Sequence, residues 1–221
     1  MQVVVPHGVY GILNLPNKSG LAPEDIISGL ACGGCCVIQL RAKEASTTER
    51  MKWTQKLGPR CRELGVGLWV NDDVDVVCWN IPGVVGVHLG QDDLRNHNPW
   101  ALRKRLRDRG LGLGISTHNK KQVHDALRVE PDYLGFGPVF STTSKVHSDP
   151  VTGVEQLFEI CQFSRVPIVA IGGISLLNVR KCKVAGAQSV AMIAALEADS
   201  VNQMHLQCRQ LTNAWHQSSP V

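Results

Sequence analysis

The segment Leu68–Cys78, LWVNDDVDVVC, places Asn71, Asp72, Asp73 and Asp75 directly behind an apolar run. Carboxylates in such a place serve as helix caps or as ligands for a hard cation, and spacing alone leaves both uses open. A second acidic pair, Asp92–Asp93, ends HLGQDD behind another apolar run. Cations recur in similar positions: Arg41 and Lys43 in QLRAK, beside Gln39, and Lys145 at the end of STTSK. GISTH adds the Ser116 hydroxyl and the His118 imidazole. The Gly172–Gly173 pair of IGGI frees backbone N–H groups near an expected helix start, an arrangement suited to an anion. Together these are the parts needed to hold an anionic substrate.

What must position them is an alternating chain. Eight short apolar runs read as strands: GVYGILN, CVIQLR, GLWVND, VGVHLG, GLGIS, YLGFGPVF, PIVAIGG and SVAMIAAL. Continuous apolar strands without clean alternation suit a parallel sheet covered on both faces. Between them, APEDIISGLACGG, TTERMKWTQKLGPRCRELG, NPWALRKRLRDRG, NKKQVHDALRV, GVEQLFEICQF and LNVRKCKVAGA have helical spacing. Gly33, Gly65, Gly110 and Gly186 fall near helix ends, as C-terminal signals should. Pro59 is expected to kink or split its helix, and DVDVVCWN supports only a short one. Gln203–Trp215 reads as a final amphipathic helix. Strand–helix alternation repeated eight times in 221 residues points to an α/β protein, a single (β/α)8 barrel over residues 1–221 with its core at about 9–217. An open doubly wound sheet is the alternative.

Composition bounds the partners. The chain is 43% hydrophobic and 19% charged, with net charge +4 and pI near 8.7. That is an ordinary globular composition whose mild basicity suits an anionic ligand. MQVVVPHGVYGILN has no charged leader and no long apolar segment, and no run approaches membrane-spanning length. A soluble, cytoplasmic protein is therefore expected. The basic run RKRLRDRG could meet nucleic acid, but Leu102 and Leu106 make it an amphipathic helix with a solvated face. The eight cysteines lack a second C-x-x-C or a His pair at zinc spacing, so reduced, mostly buried thiols are expected. Trp53, Trp69, Trp79 and Trp100 read as packing residues and His88 as structural.

In a barrel, catalytic groups lie where strands end, on one rim. Those ends are Asn14; Gln39, Arg41 and Lys43; Asn71 and Asp72; Gln91 to Asp93; Ser116 and His118; Ser141 to Lys145; Gly172–Gly173; and Ala194. Two acidic patches on one rim would repel a phosphate unless a hard cation lay between them. Mg²⁺ fits, because it takes one or two carboxylates and fills its shell with water and phosphate oxygens. The rim thus suits a Mg²⁺-bound diphosphate and a separate monophosphate.

QLRAK, VND, HLGQDD, GIS-x-H, GFGPVF-x-T-x-SK and IGGI, in this order from about Tyr10 to Leu196, resemble the thiamine-phosphate synthase family. The resemblance implies a transferase of thiamine biosynthesis that joins a pyrimidine methyl diphosphate to a thiazole phosphate and releases pyrophosphate. It implies that Gln39, Arg41 and Lys43 bind the pyrimidine diphosphate, that Asn71 touches substrate, and that Asp72 and Asp93 hold Mg²⁺. Ser116 would lie beside the pyrimidine and Lys145 on the diphosphate. Thr142 and Ser144 would supply hydroxyls near the thiazole, Ser144 replacing the usual Thr. Gly173, Ile193 and Ala194 would form the thiazole-phosphate pocket. Ser116, Lys145, Arg41 and Lys43 carry the implied catalysis.

Asp73 and Asp75 are then left to cap and charge the following helix, and His118 to shape the pocket. Two departures stand out: Ala194 occupies a place where the family usually has Ser, and Asn14 one where Asp is frequent. The expected partners are the two small-molecule substrates, with no nucleic acid and no membrane; a homo-oligomer is left open. A thiazole tautomerase and a non-catalytic barrel binding a phosphorylated metabolite are the rival readings. The Asp72–Asp93 pair argues against the first, and its presence together with Arg41, Lys43 and Lys145 argues against the second.

Overall fold

Eight parallel strands close on themselves in sequence order. In the computed structural model, which describes residues 3–142 and 149–217, they are β1 (Gly8–Asn14), β2 (Val37–Arg41), β3 (Gly67–Asn71), β4 (Val84–Leu89), β5 (Gly112–Thr117), β6 (Tyr133–Phe136), β7 (Ile168–Ile171) and β8 (Ser189–Met192). β1 pairs with β2 from Tyr10↔Val37 to Asn14↔Arg41, and with β8 from Gly8↔Ser189 to Gly11↔Met192. That second pairing closes the (β/α)8 barrel and removes the open doubly wound alternative.

The helices are α1 (Pro23–Cys32), α2 (Thr47–Glu63), α3 (Val74–Val77), α4 (Gln91–Arg95), α5 (Pro99–Arg107), α6 (Lys120–Leu127), α7 (Gly153–Phe163), α8 (Val179–Val184) and α9 (Val201–His216). Their starts follow capping chemistry. Ser46 and Glu49 form a reciprocal box at α2, and Asp73, Asn98, Asn119 and Ser200 each accept a first-turn N–H. Asp73 caps α3 as expected, its Oδ1 accepting from Val76 N at 3.0 Å. Asp75 lies in the first turn of α3 and pairs with Arg105 at 2.8 Å.

Two expectations are corrected. α2 runs unbroken through Pro59, because Thr54, Leu57, Gly58 and Cys61 bury one face and packing outweighs the missing hydrogen bond. Gly33 ends α1 as expected, with the left-handed turn following at Gly34 (φ 105°); a Cβ on Gly33 would strike Cys208. Trp79 and Trp100 are 69% and 74% exposed, Trp79 just past the end of α3 and Trp100 in the first turn of α5, whereas Trp69 is wholly buried. The thiols are unpaired as expected: Cys35, Cys61, Cys182 and Cys208 are buried, and Cys32 is exposed. Burial pushes the Cys61 and Cys182 thiols up to about 12, which suits inert core residues.

Two cores result. The larger lies between strands and helices; the smaller fills the barrel with Tyr10, Ile12, Val37, Trp69, Val85, Tyr133, Val169 and Ala191. Trp69 meets the Tyr133 ring edge-on at 4.9 Å. Gly86, Gly112 and Gly114 make room for these rings, since a Cβ at the first two would strike Trp69 and at the third Tyr133. Aromatic fillers opposite glycines plug the barrel from below. Polar side chains are thereby left for its carboxyl-end rim. No helix among the described residues is long and apolar enough to cross a membrane.

Candidate active site

The strand ends open into a site of two connected lobes. The larger, about 370 Å³, is bordered by Gln39, Arg41, Lys43, Asn71, Asp72, Asp93 and Ser116. The smaller, about 100 Å³, is bordered by Thr142, Gly172, Gly173, Ile193 and Ala194. Ser116, His118, Gly135, Asp149, Ile171, Ala191 and Ile193 border both. Ser144 and Lys145 lie outside the described residues.

The larger lobe is built from the ends of β2, β3 and β4 and from α4. Arg41, the last residue of β2, donates from Nη1 to Asn14 Oδ1. That contact aims the guanidinium along the rim without cancelling its charge. Burial lowers the Arg41 pKa, yet an arginine stays charged at any physiological pH. Lys43 Nζ lies 4.0 Å from Asp72 Oδ2. Asp72 follows β3 in a left-handed conformation (φ 65°), and its N–H donates to His88 O at 2.8 Å. A non-glycine residue held there is a local strain of the kind concentrated at functional sites. Its carboxyl is pushed up to about 6, first by desolvation and then by the adjacent Asp93 carboxylate, while Lys43 and Arg41 pull the other way.

Asp93 stands third in α4, where its Oδ2 accepts from Gly90 N at 3.3 Å. The Asp93 carboxyl is also within hydrogen-bond reach of the Asp72 carboxyl. α4 went unseen in the sequence because Gln91–Arg95 buries nothing and so has no apolar period to detect. Asp92 is the solvated member, 2.8 Å from Arg95 at the surface. Arg95 also borders this lobe and was not anticipated.

The residues fit a magnesium ion. Two converging carboxylates repel one another and one is drawn towards its protonated form, a state that a shared dication would relieve. Among the described residues no group of three or more His, Cys, Asp or Glu converges. Two carboxylates suit an ion completed by water and phosphate oxygens rather than a closed zinc site.

The smaller lobe works through backbone. Gly172 (φ 96°) and Gly173 (φ 64°) turn the chain after β7. A Cβ on Gly172 would strike Pro138, and one on Gly173 would strike Ser141 O. The Gly173 N–H makes no hydrogen bond among the described residues. The expected helix start is displaced: α8 begins only at Val179, and Asn178 stitches the intervening loop by bonding Gly173 O at 2.9 Å and Ser175 N at 2.8 Å. Ala194 opens a 3-10 turn, Ala194–Leu196, directly after β8. His118 sits where the lobes meet, its Nδ1 2.6 Å from Gly137 O and its Nε2 3.5 Å from Asp149. Those contacts fix its ring.

Residues 16–196 match the family model for thiamine monophosphate synthase. The chain belongs to that family. Relatives called thiamine-phosphate synthase include one from Chloroflexus aurantiacus, 37% identical over 95% of this chain and 94% of its own. Another, from Syntrophomonas wolfei, is 36% identical over 84% of this chain and 85% of its own. A solved structure of thiamine phosphate pyrophosphorylase from Pyrococcus furiosus superposes with TM-score 0.79, at 27% identity, over 95% of this chain and 97% of that one. Family membership agrees with the motif order, and the transferase class expected from it agrees with the names these relatives carry. Tyr10 and Tyr133 lie outside the motifs, and His88, although it opens HLGQDD, reads from sequence as structural; all three border the larger lobe. Each sits alone in an apolar strand, where a polar residue reads as packing.

Proposed function

We infer that this chain, as a thiamine-phosphate synthase, is a Mg²⁺-dependent transferase. It condenses 4-amino-2-methyl-5-pyrimidinylmethyl diphosphate with thiazole (carboxylate) phosphate, giving thiamine phosphate and pyrophosphate. The observation that carries this reading is the Asp72–Asp93 pair beside Arg41 and Lys43, in a charged lobe that opens into a glycine-walled one. A diphosphate and its metal belong in the first lobe, a ring bearing one phosphate in the second.

Asp72 and Asp93 hold Mg²⁺, which when bound supplies positive charge to the departing pyrophosphate. Arg41 and Lys43 grip the diphosphate oxygens, with Lys145 assigned to the same task. Gln39, Asn71 and Ser116 hold the aminopyrimidine. The bond from the methylene carbon to oxygen breaks, and its electron pair leaves with pyrophosphate. The electron-rich aminopyrimidine supports the cationic methylene until the thiazole nitrogen captures it. Gly173, Ile193 and Ala194 hold the thiazole phosphate at bonding distance, Thr142 and Ser144 supply hydroxyls beside the ring, and the apolar wall of the small lobe keeps water from competing. No protein nucleophile takes part.

The test mixes the protein with both substrates and follows pyrophosphate with and without Mg²⁺. Release that needs both substrates and the metal, with thiamine phosphate formed, supports the reading. No release from folded protein would overturn it and favour a tautomerase or a binding barrel.

A further inference from the structure

A chain of hydrogen bonds runs through the barrel floor and surfaces at both ends in the pyrimidine lobe. Gln39 Nε2 donates to the Tyr10 hydroxyl at 3.0 Å. The Tyr10 and Tyr133 hydroxyls are 3.1 Å apart. Tyr133 OH lies 2.7 Å from His88 Nδ1, and His88 Nε2 lies 2.8 Å from Ser116 Oγ. Four strands, β1, β2, β4 and β6, meet β5 through these five side chains. Tyr10, Tyr133, Gln39 and His88 are all buried, and unmatched polar groups would be costly there.

Counting protons gives the chain a direction. Both phenols keep theirs, because burial raises each pKa above the ordinary tyrosine value. Tyr10 already accepts from Gln39 and can give its own hydrogen to Tyr133. Tyr133, accepting from Tyr10, gives its hydrogen to His88 Nδ1. His88 is then protonated at Nε2 and donates to Ser116. Ser116 keeps its own O–H to donate, while Gln39, whose nitrogen faces Tyr10, turns its carbonyl oxygen to the ligand. With the direction reversed, the Tyr10 hydrogen would point at the Gln39 amide hydrogens.

We propose that Tyr10, Tyr133 and His88 are positioning residues that fix Gln39 as an acceptor and Ser116 as a donor, so that the floor selects an aminopyrimidine over its oxo analogue. An amino ring offers a donor N–H₂ beside an acceptor ring nitrogen. An oxo ring offers the opposite pair, a carbonyl acceptor beside a ring N–H. The ring stacking of His88 on Tyr133, 5.5 Å between centroids, and the packing of Trp69 hold the relay in place. The proposal rests on the aminopyrimidine reading above for its ligand, though not for its proton order.

Two measurements test it. Long-range ¹H–¹⁵N correlation spectra of the histidine-labelled protein read the His88 tautomer directly, whatever the activity. Neutral imidazole protonated at Nε2 is expected, and a wild-type Nδ1–H tautomer or imidazolium at pH 8 would overturn the relay. Separately, kcat/KM for the 4-amino diphosphate is compared with that for the 4-oxo analogue. Tyr133→Phe should narrow the preference by ~10-fold, the scale of one misdirected hydrogen bond, and should mix the His88 tautomers. Tyr10→Phe should narrow it less, because Tyr133 can still donate to His88. An unchanged preference in a folded Tyr133→Phe, or in Tyr10→Phe if the first variant fails to fold, would reduce the relay to packing. Absence of any turnover would count against the synthase reading, leaving the tautomer to decide the relay.

Discussion

Under the function proposed above, the two lobes would recognise phosphate groups by opposite means. In the larger one the work would fall to side chains, Arg41, Lys43 and Asp72 at or just past strand ends and Asp93 in α4. In the smaller one it would fall to main-chain groups of the left-handed Gly172–Gly173 turn and of the 3-10 turn at Ala194. Side-chain charges can gather a metal and change protonation. Backbone amides cannot titrate, so the second lobe offers a fixed binding geometry. On the proposed mechanism, the lobe where bonds would break holds the adjustable charges, and the lobe that would present the nucleophile holds the rigid cradle.

The contrast breaks most sharply if the charges of the larger lobe prove dispensable. Asp72→Ala should cut turnover ~10²–10³-fold, the usual cost of losing a well-placed charge-stabilising group, while circular dichroism shows a folded barrel. Near-normal kcat would remove Asp72 from the chemistry. In the smaller lobe, Gly173→Ala should raise KM for thiazole phosphate ~10-fold or more with a lesser effect on kcat. Its Cβ would press on Ser141 O at a positive φ, which costs on the order of 1–3 kcal/mol. An unchanged KM would show that the loop is no cradle.

Titration sharpens the same comparison. The Asp72 carboxyl is raised from 3.8 to about 6 by burial and by Asp93. Without metal the folded protein therefore binds more protons than the unfolded chain between those values, and stability falls as pH rises across that window. Mg²⁺ must displace the proton, so its apparent affinity should weaken ~10-fold from pH 7 to pH 5. Thiazole-phosphate binding by amides should lack this Asp72-linked step. Calorimetric titration at both pH values checks the pair, and a Mg²⁺ affinity flat across the range would disprove the carboxylate site.

The same division explains what the sequence could reveal. Strands read as apolar runs because both faces of this barrel are buried, whereas Asp72 reads equally as a cap or a ligand until the order of the motifs sets it beside Asp93, Arg41 and Lys43. α4 was invisible for want of a buried face, and the continuity of α2 through Pro59 was decided by packing that no local rule contains. The Tyr10–Tyr133 contact joins residues 123 positions apart, beyond any periodicity. The displaced start of α8 likewise depends on Asn178 folding back onto Gly173.

Ala194 offers the finest test, because it asks whether the smaller lobe relies on amides alone. The usual serine would place one hydroxyl at the mouth of the turn after β8, within the lobe already bordered by Gly173. If the amides hold the phosphate, Ala194→Ser adds a single hydrogen bond to an existing set, and the thiazole-phosphate KM should fall only ~3–10-fold, with kcat nearly constant. If the hydroxyl is the main anchor, the gain should be far larger, and the wild-type chain should bind thiazole phosphate barely at all. Equal affinities would mean that the serine makes no contact, leaving the backbone as the complete site. The size of this one change therefore measures how much of the lobe's recognition resides in side chains.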